Sequence, residues 1–162
     1  MTNFRTNFET KLEKAREISW DRFGKEITFY LPGMFLYDGF TGNYPAVSIT
    51  GSECALQCDH CKGSILEPMI GTLTPESLME KGMRLAEKGN HGILISGGCD
   101  EKGWLPWEGF IPVIEKLKSL TGLFISIHSG LLDYPMARRL KEAGVDQALI
   151  DVIGDDETFQ KI

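Results

Sequence analysis

From Ala46 onward, short apolar runs alternate with longer stretches in which apolar positions recur every three or four residues. Ala46–Thr50, Gly92–Ser96, Leu123–Ile127 and Val145–Val152 read as strands, and Gly92–Ser96 has the short apolar run of a strand buried on both faces. The stretch after Thr74 carries Leu78, Met79, Met83, Leu85 and Ala86 at helical spacing. Thr74 can cap that helix, with Pro75 at its first position. A second helix places Phe110, Val113, Ile114, Leu117 and Leu120 on one face, with Pro112 expected in or near its first turn. A third runs from about Asp133 to Ala143, and Asp155 and Asp156 begin a fourth. Gly89, Gly122 and Gly144 each stand between a helix and the next strand, where a left-handed cap is needed.

Ahead of this pattern, Asn7–Gly24 reads as an amphipathic helix through Phe8, Leu12, Ala15, Ile18 and Trp20, with Gly24 as its stop. Glu26–Leu31 alternates like a short strand. Pro32, Gly33, Asp38, Gly39, Gly42, Asn43 and Pro45 then mark an irregular connection. The expected organisation is an N-terminal helix-strand extension over 1–44 and an α/β domain over 45–162.

Strand and helix in strict alternation predict an α/β fold with parallel strands. Right-handed crossovers would bring the C-terminal ends of all strands to one rim. The segments that follow strands should therefore meet there: the loop after Thr50, Gly97-Gly98-Cys99-Asp100, and His128-Ser129-Gly130. Asp151 is expected at the same rim. Four strands are fewer than a closed (β/α) barrel needs, since that takes roughly 200–250 residues. The expectation is a partial TIM-type barrel, truncated at its C-terminus.

The net charge of -6 argues against a nucleic-acid or anionic-membrane surface, which needs clustered Lys and Arg. Arg138, Arg139 and Lys141 share one predicted helix and read as a solvated face. No secretory signal or spanning apolar run is visible, so the expected location is the cytoplasm. Four cysteines are present, and three crowd into one short loop. In a reducing compartment such crowding points to metal ligation more than to disulfides.

That loop reads Cys54-Ala-Leu-Gln-Cys58-Asp-His-Cys61, directly after a predicted strand. Three thiolates so placed can hold three irons of a cubane cluster and leave the fourth without a protein ligand. Other chemistries use the same residues. The triad with His60 or Cys99 could form a zinc site, although zinc sites usually pair two knuckles. Cys58 and Cys61 alone could be a redox pair, which leaves Cys54 without a role. Buried structural cysteines are a third option, but Gln57 and Asp59 make the segment polar.

The C-x3-C-x2-C spacing in the loop after a first barrel strand resembles the radical S-adenosylmethionine (SAM) superfamily. The resemblance implies a partial radical SAM barrel, a [4Fe–4S] cluster on Cys54, Cys58 and Cys61, and reductive SAM cleavage to a 5′-deoxyadenosyl radical. It implies SAM contacts at Gly97, Gly98, Cys99 and Asp100, where the family commonly has Gly-Gly-Glu. Cys99 stands in place of the acid and Asp100 one position later. His128 and Ser129 would be further SAM or substrate contacts.

Val47-Ser-Ile-Thr-Gly51, Ile95-Ser-Gly-Gly-Cys-Asp-Glu-Lys-Gly103, Ile127-His-Ser-Gly130 and Val145-Asp146 through Asp155 together resemble a biotin-synthase-like archaeal group. That group includes one subunit of the two-component lipoyl synthase. This narrower resemblance implies sulfur insertion into an octanoyl chain on an acyl carrier-type protein, a partner radical SAM subunit and an external electron donor. No second cysteine triad lies within these residues, so sulfur would come from elsewhere.

Overall fold

In the computed structural model of the chain, residues 2–27, 31, 33, 36–151 and 154–159 are described. They fall in two compact units, Met1–Tyr30 and Leu31–Ile162.

The first unit is helix α1, Thr2–Phe23. Gly24 ends it with a left-handed backbone, and its N–H donates to the Trp20 carbonyl at 2.9 Å. The helix forms as expected, but Phe8, Leu12, Ile18, Trp20 and Phe23 are all exposed. Ile18 and Trp20, two residues apart, fall on nearly opposite sides of a helix, so the apolar positions do not make one narrow stripe. Of the strand expected over Glu26–Leu31, residues 28–30 lie outside the described residues, and Glu26, Ile27 and Leu31 belong to no strand.

In the second unit, the segment expected to be irregular contains a small hairpin. Strand β1, Leu36–Tyr37, pairs antiparallel with β2, Phe40–Thr41. Asp38 and Gly39 both take positive φ, the demand of a two-residue hairpin turn that Asp-Gly meets.

The main sheet has five strands, one more than the sequence pattern indicated. They are β3 (Ala46–Ser48), β4 (Ile70–Gly71), β5 (Gly92–Ser96), β6 (Phe124–His128) and β7 (Gln147–Leu149), in the order β4-β3-β5-β6-β7. Every neighbouring pair is parallel. The extra strand, β4, is too short to show a period. It is held at the edge by Thr72, whose N–H (2.8 Å) and hydroxyl (3.2 Å) both donate to the Ser48 carbonyl.

Helices α2 (Pro75–Glu87), α3 (Trp107–Thr121) and α4 (Tyr134–Glu142) connect successive strands. Thr74 caps α2 by accepting from the Ser77 N–H, and Ser77 returns the bond in a capping box. Asp133 caps α4 through the Met136 N–H. Pro112 lies inside α3, beyond its first turn, because the helix starts as early as Trp107. Its ring is exposed, so the Glu108 carbonyl that loses a helical partner can turn to water.

The register decides which side the helices cover. Val47, Ile95 and Ile127 are laterally paired, as are Ile93 and Ile125. All five are buried on one face of the sheet among Leu78 of α2, Ile114 and Leu117 of α3 and Leu140 of α4. The three helices therefore cover one face only, as in a barrel wall and unlike a doubly wound sheet. The alternate residues, Ser48, Leu94, Ser96, Ser126 and His128, face the other way. The fold is α/β with a parallel five-stranded sheet, a partial β/α barrel wall. Among the described residues, no helix is long and apolar enough to cross a membrane.

Candidate functional site

The strand ends of β3 and β5 carry the site. Past Ser48 the chain turns sharply: the Ser48 hydroxyl donates to the Gly51 carbonyl at 2.6 Å, and Gly51 takes a left-handed φ of 64°. Thr50 then ties two rim loops together. Its hydroxyl accepts the Gly98 N–H at 2.6 Å and donates to the Glu53 carbonyl at 3.1 Å. A second bridge runs from the Ala55 N–H to the Cys99 carbonyl at 2.8 Å. Gly98 is buried between the loops, where a Cβ would lie 2.6 Å from the Cys54 Cα and would strike the Glu53 carbonyl oxygen. Only glycine allows that approach.

The cysteine loop is shaped by its own backbone. Gln57 takes a positive φ and its side-chain amide donates to the Cys54 carbonyl at 2.6 Å. Lys62 donates its N–H to the Cys58 carbonyl at 2.8 Å, and Ser64 closes on the Cys61 carbonyl through both N–H and hydroxyl. All four cysteines are free thiols. Cys58 is buried and Cys54 and Cys61 are half-buried. Burial, then the neighbouring Cys61, pushes the Cys58 thiol up from its ordinary value. Burial pushes Cys99 up to about 11, with Cys54, Cys58 and Asp100 adding in the same direction. His60 is exposed.

Between the two loops lies a groove of about 650 Å³. The cysteine loop lines it with Thr50, Glu53, Cys54 and Gln57, and the facing loop with Gly98, Cys99, Asp100 and Trp104. Among the described residues, two carboxylates and no Lys or Arg line it, so its field favours a cationic ligand. Thr50, Glu53 and Trp104 had not been singled out from the sequence. Their shared place in the segments that leave β3 and β5 is the one signal the sequence carries for them.

Gly97, His128, Ser129 and Asp151 are not among the residues that line this groove. Gly97 precedes Gly98, and a Cβ added there would come within 3.1–3.2 Å of the Thr50, Ile49 and Leu105 side chains. Ser129 is buried, its hydroxyl donates to the Gly130 carbonyl at 2.9 Å, and its carbonyl accepts the Trp107 indole N–H at 2.9 Å. His128 is half-buried at the end of β6, opposite Leu149. Asp151 is exposed beyond β7. Of the basic helix residues, Arg138 pairs with Glu142 at 2.7 Å and Arg139 with Glu108.

The model of the radical SAM superfamily matches residues 48–162, from the last residue of β3 through both rim loops. The chain belongs to the radical SAM superfamily. The comparison with curated proteins found no match. Radical SAM proteins use a [4Fe–4S] cluster and SAM, and the residues here fit that pair. The donor set is three soft, disulfide-free thiols on one loop. Beside Cys54 is the groove, whose two loops meet at Gly98 so closely that a Cβ there would strike the Cys54 backbone. Among the described residues, no three His, Cys, Asp or Glu side chains converge as one metal ion would require. A cubane takes its thiolates on separate irons.

Proposed function

We propose that Cys54, Cys58 and Cys61 hold a [4Fe–4S] cluster with one iron free for SAM, and that the groove beside Cys54 receives the SAM molecule. When bound, the cluster supplies the electron that cleaves SAM to methionine and a 5′-deoxyadenosyl radical, which takes a hydrogen atom from a substrate. The observation that carries this reading is that Cys54 of the cysteine loop and Gly98 of the facing loop line one groove. Gly98 lets the backbone come close enough for its carbonyl to accept from the SAM ammonium group. Glu53, a carboxylate in the lining of the groove, supplies negative charge toward a sulfonium and an ammonium. Burial of Cys58 removes water from the thiolate side of the cluster.

Anaerobic reconstitution tests this directly. The expected product is a brown protein with about four irons per chain that forms 5′-deoxyadenosine from SAM and dithionite. A colourless protein that binds one zinc ion tightly would overturn it. Cys58→Ala should lose the cluster while keeping its far-ultraviolet circular dichroism. A full iron load in that variant would remove Cys58 from the ligand set.

The finer reading is sulfur insertion into an octanoyl chain on an acyl carrier-type protein in the reducing cytoplasm, with a partner radical SAM subunit and an external electron donor. Its support is the set of strand-end motifs through Asp155, which resemble one subunit of a two-component lipoyl synthase. Hydrogen transfer from a deuterated octanoyl carrier protein into 5′-deoxyadenosine would support it. Full SAM cleavage with no deuterium transfer, partner present, would reject this substrate and leave the radical SAM reading standing.

A further inference from the structure

We infer that Asp100 is a positioning residue, one that sets the wall of the groove by accepting hydrogen bonds from its own loop rather than by meeting the ligand's ammonium group. The inference rests on the radical SAM reading of the groove. Asp100 follows the Gly-Gly pair and is exposed, which would suit a ligand contact. Its Oδ1, however, accepts two backbone N–H groups, those of Lys102 at 2.8 Å and Trp104 at 3.0 Å. The backbone closes the same ring: the Asp100 N–H donates to the Trp104 carbonyl at 2.9 Å, and the Gly103 N–H to the Asp100 carbonyl at 3.0 Å.

The ring leads straight into Trp104, Leu105 and Pro106, the groove wall across from Cys54. It is also tied to the next rim loop, since the Leu131 N–H donates to the Gly103 carbonyl at 2.9 Å. What the wall needs at this position is an oxygen acceptor at the reach of an Asp side chain. Negative charge is not required, and an asparagine amide oxygen can accept both bonds.

Three variants separate geometry from charge. Asp100→Asn keeps the acceptor and removes the charge. Asp100→Glu keeps the charge and displaces the acceptor. Asp100→Ala removes both. Two readouts apply to the full chain: amide hydrogen exchange at Lys102 and Trp104 in the metal-free protein, and SAM affinity of the reconstituted protein by equilibrium dialysis. The expected result is that Asn stays within about twofold of the parent in both, while Ala and Glu exchange at least about tenfold faster and bind SAM roughly tenfold more weakly, in line with the loss of one to two charge-assisted hydrogen bonds. Weakened SAM binding in Asn with unchanged exchange, or retained affinity in Glu, would overturn the inference. So would unchanged exchange in Ala. A parent chain that assembles no cluster would defeat the radical SAM reading instead, and the exchange measurements would still decide how the loop is held.

Discussion

Gly98→Ala is the sharpest test of how the two rim loops meet. The added Cβ would lie 2.5 Å from the Cys54 Cβ and 2.6 Å from its Cα. Carbon atoms prefer about 3.5–4.0 Å, so the loops must part by about 1 Å. The two bonds that tie them, Gly98 N–H to the Thr50 hydroxyl at 2.6 Å and Ala55 N–H to the Cys99 carbonyl at 2.8 Å, would then stretch past useful range. Overpacking costs about 1–3 kcal/mol and each lost bond about 1 kcal/mol. Because the same displacement produces both, the total should be about 2–4 kcal/mol.

In a chain of this length that lowers the melting midpoint by roughly 5–15 °C. The assay is differential scanning calorimetry of the metal-free protein, with iron content after reconstitution as a second readout. Iron should fall, since the displaced segment carries Cys54. Gly109→Ala is the control: a Cβ there meets nothing within 4 Å, on the exposed side of α3. Alanine is the better helix former, so that midpoint should rise by a few degrees, from about 0.4–1 kcal/mol. A Gly98→Ala protein that melts with its parent and loads full iron would refute the close approach of the loops.

Trp107→Phe keeps most of the buried ring but strands the Ser129 carbonyl, which accepts the indole N–H at 2.9 Å. It should cost about 1–3 kcal/mol in urea unfolding, and an unchanged midpoint would show that the bond contributes nothing net. Cys99, raised to about 11 by burial and then by the neighbouring thiols, should be almost wholly protonated at neutral pH. Its alkylation by iodoacetamide in the metal-free protein, followed by mass spectrometry, should run roughly a hundredfold slower at pH 8 than for a free cysteine. The rate should climb tenfold per pH unit toward 11. A plateau near pH 9 would contradict the enclosure of that thiol.

Much of this protein is written in short-range pattern. The strand Gly92–Ser96, the cap at Thr74, and the helix stops at Gly24 and Gly122 were all legible, because each depends on residues within one or two turns. The cysteine spacing likewise placed three thiols on one loop after a strand before any tertiary contact was considered. Strand β4 was not legible, since Ile70 and Gly71 form a strand only because Val47 and Ser48 lie beside them.

The same limit applies to the site. Sequence order placed Asp100 one position after that of a ligand acid, but the bonds from Lys102 and Trp104 to its side chain exist only once the loop has closed. Ser129 follows a strand as expected, yet the indole of Trp107 and the neighbouring backbone engage it. Thr50 joins two loops 48 residues apart in the chain. Local propensity is a property of neighbours along the chain, so the sequence by itself determines elements, caps and the thiol loop. Which face the helices cover, which loops share a groove and which polar atoms remain free depend on long-range packing, and those the tertiary structure decides.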